Sequence, residues 1–195
     1  MAHPKILVIP GSSRSQSVNA KLAAVVVKEL ALADVAVTRI SLGDYPLPIY
    51  NGDDEAADGV PQNAIALKRL LLAQDGIFIA SPEYNASVTP LLKNTIDWIS
   101  RVRDDALPGR PFRDRVFALG AAAPGAYGGM RGLLALRQIL TNGLGATVLP
   151  EQVLVARSAE AFDDQDRLTD ERAVSSLQAL VRRLIEEAGR YVDRF

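Results

Sequence analysis

The sequence predicts an α/β fold: a three-layer sandwich built around a five-stranded parallel sheet. Three observations predict it. Short and almost wholly apolar runs end in glycine, proline or serine, as strands buried on both faces do. Segments with apolar residues at helical spacing stand between them. The two kinds alternate along the whole chain, which is how parallel strands are joined through crossover helices.

The first strand is residues 5–9 (KILVI), ended by Pro10-Gly11. After a serine-rich loop, Leu22, Val25, Val26 and Leu30 recur at helical spacing, and residues 35–40 read as a short second strand. Residues 42–62 are rich in proline and glycine and carry an acidic tip at Asp53, Asp54 and Glu55, so a long loop at the sheet edge is expected. Ile65, Leu67, Leu70 and Leu71 resume a helix, and residues 76–80 (GIFIA) form a third strand that ends at Ser81-Pro82.

Val88, Leu91, Leu92, Ile96 and Ile99 line one face of the next helix, and residues 115–119 (RVFAL) are the fourth strand. Leu133, Leu136 and Leu140 belong to a further helix. Residues 148–149 and 153–155 make a fifth strand interrupted at Pro150, which suits an edge or a bulge rather than a central position. Leu177, Leu180, Val181, Leu184 and Ile185 close the chain as an amphipathic helix. Five strands alternating with five helices predict a doubly wound sheet, and the flavodoxin-like strand order 2-1-3-4-5 is the expected arrangement.

A length of 195 residues suits one domain, 1–195. With 48% apolar and 23% charged residues the chain has enough apolar material for a packed core. A formal net charge of −1 without runs of one sign argues against nucleic-acid or membrane partners and for a small-molecule partner. No apolar stretch reaches the roughly 18 residues of a spanning helix and no signal peptide is visible, so a cytoplasmic location is expected. Cysteine is absent, which excludes disulfides, thiolate nucleophiles and most zinc sites, and no metal site is expected. His3 is the only histidine and lies in the N-terminal tail, so no imidazole base is at hand. Any chemistry must then fall to a cofactor or to carboxylates, tyrosine and lysine.

Ligands of doubly wound sheets sit beyond the carboxyl ends of the strands. Three loops leave those ends. The first, residues 11–19 (GSSRSQSVN), joins a glycine turn, four serine hydroxyls, the Arg14 guanidinium and a helix N-terminus: an anion cradle, or simply a serine-capped helix start. A helix dipole offers an anion only about 0.3 to 1 kcal/mol. Charge-assisted hydrogen bonds offer roughly 1.5 to 3 kcal/mol each, so a phosphate monoester fits best. Neither the Gly-Lys-Ser/Thr of a Walker loop nor Gly-x-Gly-x-x-Gly is present. The second loop, residues 81–88, brings Tyr84 and polar groups to the same edge, where a flat heteroaromatic ring can lie. The third, residues 121–129 (AAAPGAYGG), is small enough for close backbone approach, or is only a flexible turn.

Together these residues resemble the NADPH-dependent FMN reductase family, which includes quinone, azo-compound and chromate reductases. The most specific stretch is SPEYNASVTPLLKNTIDWISR, residues 81–101; GSSRSQSVNAKL and PGAYGGMRGL match in order and spacing. The resemblance implies that Ser12, Arg14, Ser17, Val18 and Asn19 surround the phosphate of FMN. It implies that Pro82, Glu83, Tyr84 and Asn85 lie along the isoalloxazine, with Gly125, Tyr127, Gly128 and Gly129 bordering its other side. Lys93, Asn94, Asp97 and Trp98 also match, and are read as helix packing, charge pairing or a subunit contact. Two departures stand out, Ala123 where serine is common and Ala86 where glycine is common.

The resemblance further implies NAD(P)H as co-substrate, a small acceptor such as a quinone, azo compound or chromate, and a homodimer or homotetramer. Hydride transfer needs its donor and acceptor atoms about 3 to 3.5 Å apart, so positioning matters more than a side-chain base, and no acid-base catalytic residue is expected. The alternatives are a flavodoxin-type electron carrier, which is usually acidic with a threonine-rich phosphate loop, and a non-catalytic flavin sensor.

Overall fold

The computed structural model describes residues 3–103 and 106–192. Its sheet has five strands in the order β2-β1-β3-β4-β5. These are β1 (Lys5–Pro10), β2 (Ala36–Arg39), β3 (Gly76–Ala80), β4 (Val116–Ala122) and β5 (Thr147–Val155). Every neighbouring pair is parallel. The expected flavodoxin-like α/β fold and strand order are what the chain adopts. The positions follow from composition: β3 and β4 are buried at every residue and β1 at all but its first, whereas β2 and β5 are partly exposed, as edges must be.

Successive strand residues point to opposite faces and so feed two separate cores. Ile6, Val8, Phe78 and Ala118 pack under α1 (Val18–Leu32) and α6 (Glu171–Gly189). Leu7, Ile9, Ile77, Ile79, Phe117 and Leu119 pack under α3 (Gln62–Leu72), α4 (Pro90–Arg101) and α5 (Met130–Gln138). Each layer has a capped start. Ser17, Thr89 and Asp170 accept side-chain hydrogen bonds from the first turns of α1, α4 and α6, and Pro90 stands at the first position of α4.

Three expectations need correcting. Residues 42–62 are not one open loop, because they hold a 3-10 turn (Leu42–Asp44) and a sixth helix, α2 (Gly52–Asp58). The acidic tip is the first turn of that helix: Asn51 accepts from the Asp53 N–H at 3.0 Å, and the carboxylates of Asp53, Asp54 and Glu55 stand where the helix dipole favours negative charge. Strand β4 runs on to Ala122, and Arg115 lies outside it. Strand β5 is continuous through Pro150, and the register slips from Phe117↔Val148 to Leu119↔Gln152, so the proline sits in a bulge on an edge strand.

The α4 residues that match the family hold this connection down. Pro48 O accepts from Asn94 Nδ2 at 2.8 Å and Trp98 Nε1 at 2.7 Å, while Asn94 Oδ1 accepts from the Tyr50 N–H. Tyr50 packs edge-on against Trp98 and donates its hydroxyl to Glu55, which also pairs with Arg101. Lys93 pairs with Asp97 one turn along. Among the described residues no helix is long and apolar enough to cross a membrane.

Candidate functional site

Loops after β1, β3 and β4 meet at the carboxyl edge, where the chain leaves β1 in one direction and returns to β3 in the other. Backbone bonds continue the sheet into the loops. Gly11 N donates to Ala80 O at 2.8 Å, Ser81 N to Gly120 O at 2.8 Å, and Ala123 N to Val155 O at 3.0 Å. The Thr89 hydroxyl, buried at the start of α4, donates to Gly11 O at 2.9 Å and thereby fixes the first loop to the second.

The first loop turns over itself, with Ser12 Oγ accepting from Arg14 N and Ser17 N donating to Arg14 O. Of the four N–H groups that open α1, Ser17 and Ala20 are thus engaged. Val18 and Asn19 have no intrahelical carbonyl to reach, and their N–H groups are the free donors of the first turn. The Arg14 side chain is exposed and pairs with nothing among the described residues. Asn19 is different. It is 2% exposed, its Nδ2 donates to Ala122 O at 2.8 Å, and its Oδ1 accepts from Ala122 N at 2.9 Å. Its amide acts as a strand-like partner for the end of β4, so the side chain that the resemblance places on the phosphate is spent, leaving only the main-chain N–H.

In the second loop Tyr84 and Ser87 exchange both backbone bonds, at 3.0 and 2.9 Å. The two residues between them, Asn85 and Ala86, have φ of +49° and +61°, the signature of a type I′ hairpin turn. Asparagine tolerates that region; alanine does so at a cost, which explains why glycine is the common residue in place of Ala86. Pro82 is buried beneath the hairpin, while the rings of Tyr84 and Tyr127 are 46% and 63% exposed at its mouth.

Glu83 points toward α5. Its Oε1 accepts from Arg131 Nε at 2.9 Å and from Nη2, and its Oε2 accepts from Gly132 N at 3.1 Å. Burial pushes this carboxyl up, but the Gly132 N–H and the Arg131 guanidinium outweigh it, and the net shift is downward. Glu83 is therefore ionised, and both its oxygens are occupied by protein donors.

The third loop is shaped by glycine. Gly129 caps α5 at φ +88°, and a Cβ there would lie 2.6 Å from Ala121 Cβ. Gly128 likewise has positive φ and is buried. A Cβ on Gly125 would meet nothing within 4 Å, so that side of the turn is open, and Ala123 bonds through its backbone to β5 and Ser158. The sequence reading gives no role to Arg131 or Gly132, although both lie in the PGAYGGMRGL stretch. Nor does it single out Thr89.

A cavity of about 650 Å³ flanks the first loop and α1, against Ser15, Ser17, Lys21, Arg39 and Phe162. Val18, one of the two free N–H donors, also lines this cavity, and the crevice between the second and third loops lies beside the exposed Tyr84 and Tyr127.

Residues 4–160 match the family described as NADPH-dependent FMN reductase. An NAD(P)H-dependent FMN reductase of Pseudomonas aeruginosa is 34% identical over 188 residues, covering 92% of this chain and 96% of that protein. A quinone reductase of Escherichia coli is 36% identical over 137 residues, 70% of this chain and 69% of the relative. Among solved structures, a flavoenzyme NAD(P)H:(acceptor) oxidoreductase of Paracoccus denitrificans superposes with a TM-score of 0.76 at 27% identity, over 96% of this chain and 98% of its own. With the match running through all three loops, the chain belongs to the NADPH-dependent FMN reductase family.

Proposed function

We propose that the chain is an NAD(P)H-dependent FMN reductase that passes reducing equivalents from NAD(P)H through FMN to a small acceptor, a quinone foremost, with azo compounds and chromate as further candidates. One observation carries the reading: at the start of α1, where Ser12, Ser17 and the Asn19 amide are bonded within the protein, the Val18 and Asn19 N–H groups and the Arg14 guanidinium are left over. Left-over donors at a helix N-terminus fit a phosphate monoester.

In this reading Arg14, the Ser12 and Ser17 hydroxyls, and the Val18 and Asn19 N–H groups hold the phosphate. Pro82, Tyr84 and Asn85 flank one side of the ring and Gly125, Tyr127, Gly128 and Gly129 the other. FMN, when bound, supplies the redox chemistry, taking hydride from the nicotinamide and yielding electrons to the acceptor. The protein orients the reactants, and no side chain is assigned as acid or base. A cytoplasmic homodimer or homotetramer is part of the proposal; the exposed Tyr84, Tyr127 and Leu134 side chains provide apolar surface for a second copy beside the crevice.

The test mixes purified protein with FMN, then NADH or NADPH, and follows nicotinamide oxidation with and without a quinone. Quinone-dependent oxidation that requires FMN supports the proposal. Flavin bound without turnover would make the chain a carrier or a sensor, and no flavin affinity at all would end the flavin reading.

A further inference from the structure

We infer that Glu83, Arg131 and Gly132 form a latch that sets the gap between the second and third loops, so that Glu83 positions the flavin ring without touching it; this rests on the FMN reading above. The Glu83 side chain is only 9% exposed and receives three N–H donors, two from Arg131 and one from the third residue of α5. An ordinary surface ion pair contributes little to holding two segments together. This carboxylate instead sits at a helix N-terminus with a main-chain donor, which makes it a fixed joint.

Two further contacts extend the joint across the crevice. A Cβ on Gly132 would lie 3.1 Å from both Cα and Cβ of Glu83 and 3.2 Å from Ser87 O, so any side chain there would push the hairpin away from the first turn of α5 by a few tenths of an ångström. The Arg131 guanidinium lies 5.7 Å from the centre of the Tyr127 ring, in the third loop. One cation thus joins the carboxylate of the second loop to the aromatic residue of the third. Neither loop can shift against the other without breaking these contacts. The phosphate loop takes no part in the latch.

That separation gives the test. Wild type, Glu83→Gln, Arg131→Met, the double variant and Arg14→Ala are titrated with FMN and with riboflavin, which has the ring but no phosphate. Hydrogen exchange at the Tyr84 and Ser87 amides is followed in the flavin-free proteins, with Phe78 in the sheet as internal reference. Each latch variant is expected to weaken FMN and riboflavin by the same factor, about tenfold for one charge-assisted hydrogen bond. The double variant should be no weaker than the worse single one, and hairpin exchange should quicken while Phe78 stays protected. Arg14→Ala should weaken FMN alone. Wild-type riboflavin affinity and hairpin exchange in both latch variants would overturn the latch while leaving the FMN reading intact. Wild type that binds no flavin would overturn both. Should Glu83→Gln fail to fold, Arg131→Met decides, since that side chain is half-exposed.

Discussion

The two edges of the sheet treat arginine in opposite ways. At the amino edge Arg115 is 5% exposed and donates to the carbonyls of Leu71, Leu72, Gln74 and Arg110, closing the C-terminal end of α3 and its following turn. At the carboxyl edge Arg14 is exposed, beside the free N–H groups of α1. Arg115 spends its donors on holding the fold, whereas Arg14 keeps its own turned to solvent. The side chain alone does not decide between these roles. What decides is whether the backbone around it has already found partners.

This contrast predicts that stability and flavin affinity respond separately. Arg115→Met strands several buried carbonyls and should lower the unfolding free energy by about 3 to 5 kcal/mol in urea titrations. FMN affinity, measured on the protein that remains folded, should not change. Arg14→Ala should do the reverse, weakening FMN by about 1.5 to 3 kcal/mol, or roughly ten- to a hundredfold, with stability held within about 0.5 kcal/mol. If the first weakened flavin or the second unfolded the chain, the two edges would not be separable.

Acidification sharpens the comparison less strongly, because Arg131 is half-exposed and screened. Glu83 has a lowered pKa in the folded chain, so its contribution is full above the ordinary glutamate pKa of about 4.3 and is lost as pH falls through the folded value. Hairpin amide protection, relative to the intrinsic exchange rate at each pH, should be unchanged from neutral pH down to that range and fall below it, and in Glu83→Gln this acid step should vanish. The smallest effect is a gain. Ala86→Gly relieves a left-handed residue at about 1 to 2 kcal/mol and adds about 0.5 to 1 kcal/mol of chain entropy, a net stabilisation of about 0.5 to 1 kcal/mol by thermal unfolding.

Most of the fold is legible in the sequence because burial dictates it. Residues 6–9 and 76–80 are apolar without interruption, and only central strands need that. Helix α2 is illegible by the same reasoning: none of its seven residues is buried, so no apolar stripe marks it. Its signal is the Asn51 cap followed by acidic residues. The candidate site divides in the same way. The proposed phosphate cradle is readable because its serines, arginine and helix start are adjacent in sequence. The roles of Asn19 and Glu83 depend on partners 103 and 48 residues away, and spacing along the chain does not reveal which polar side chains those partners occupy. The resemblance places both residues at the flavin, and in the structure the Asn19 amide bonds the end of β4 while the Glu83 carboxylate bonds the start of α5.

The account stands most directly on where a phosphate comes to rest. A crystal structure of the chain with FMN should show phosphate oxygens within hydrogen-bond distance of the Val18 and Asn19 N–H groups and Arg14, with the ring between the second and third loops. A phosphate found instead in the cavity beside Lys21 and Arg39, with Arg14 still facing solvent, would contradict it.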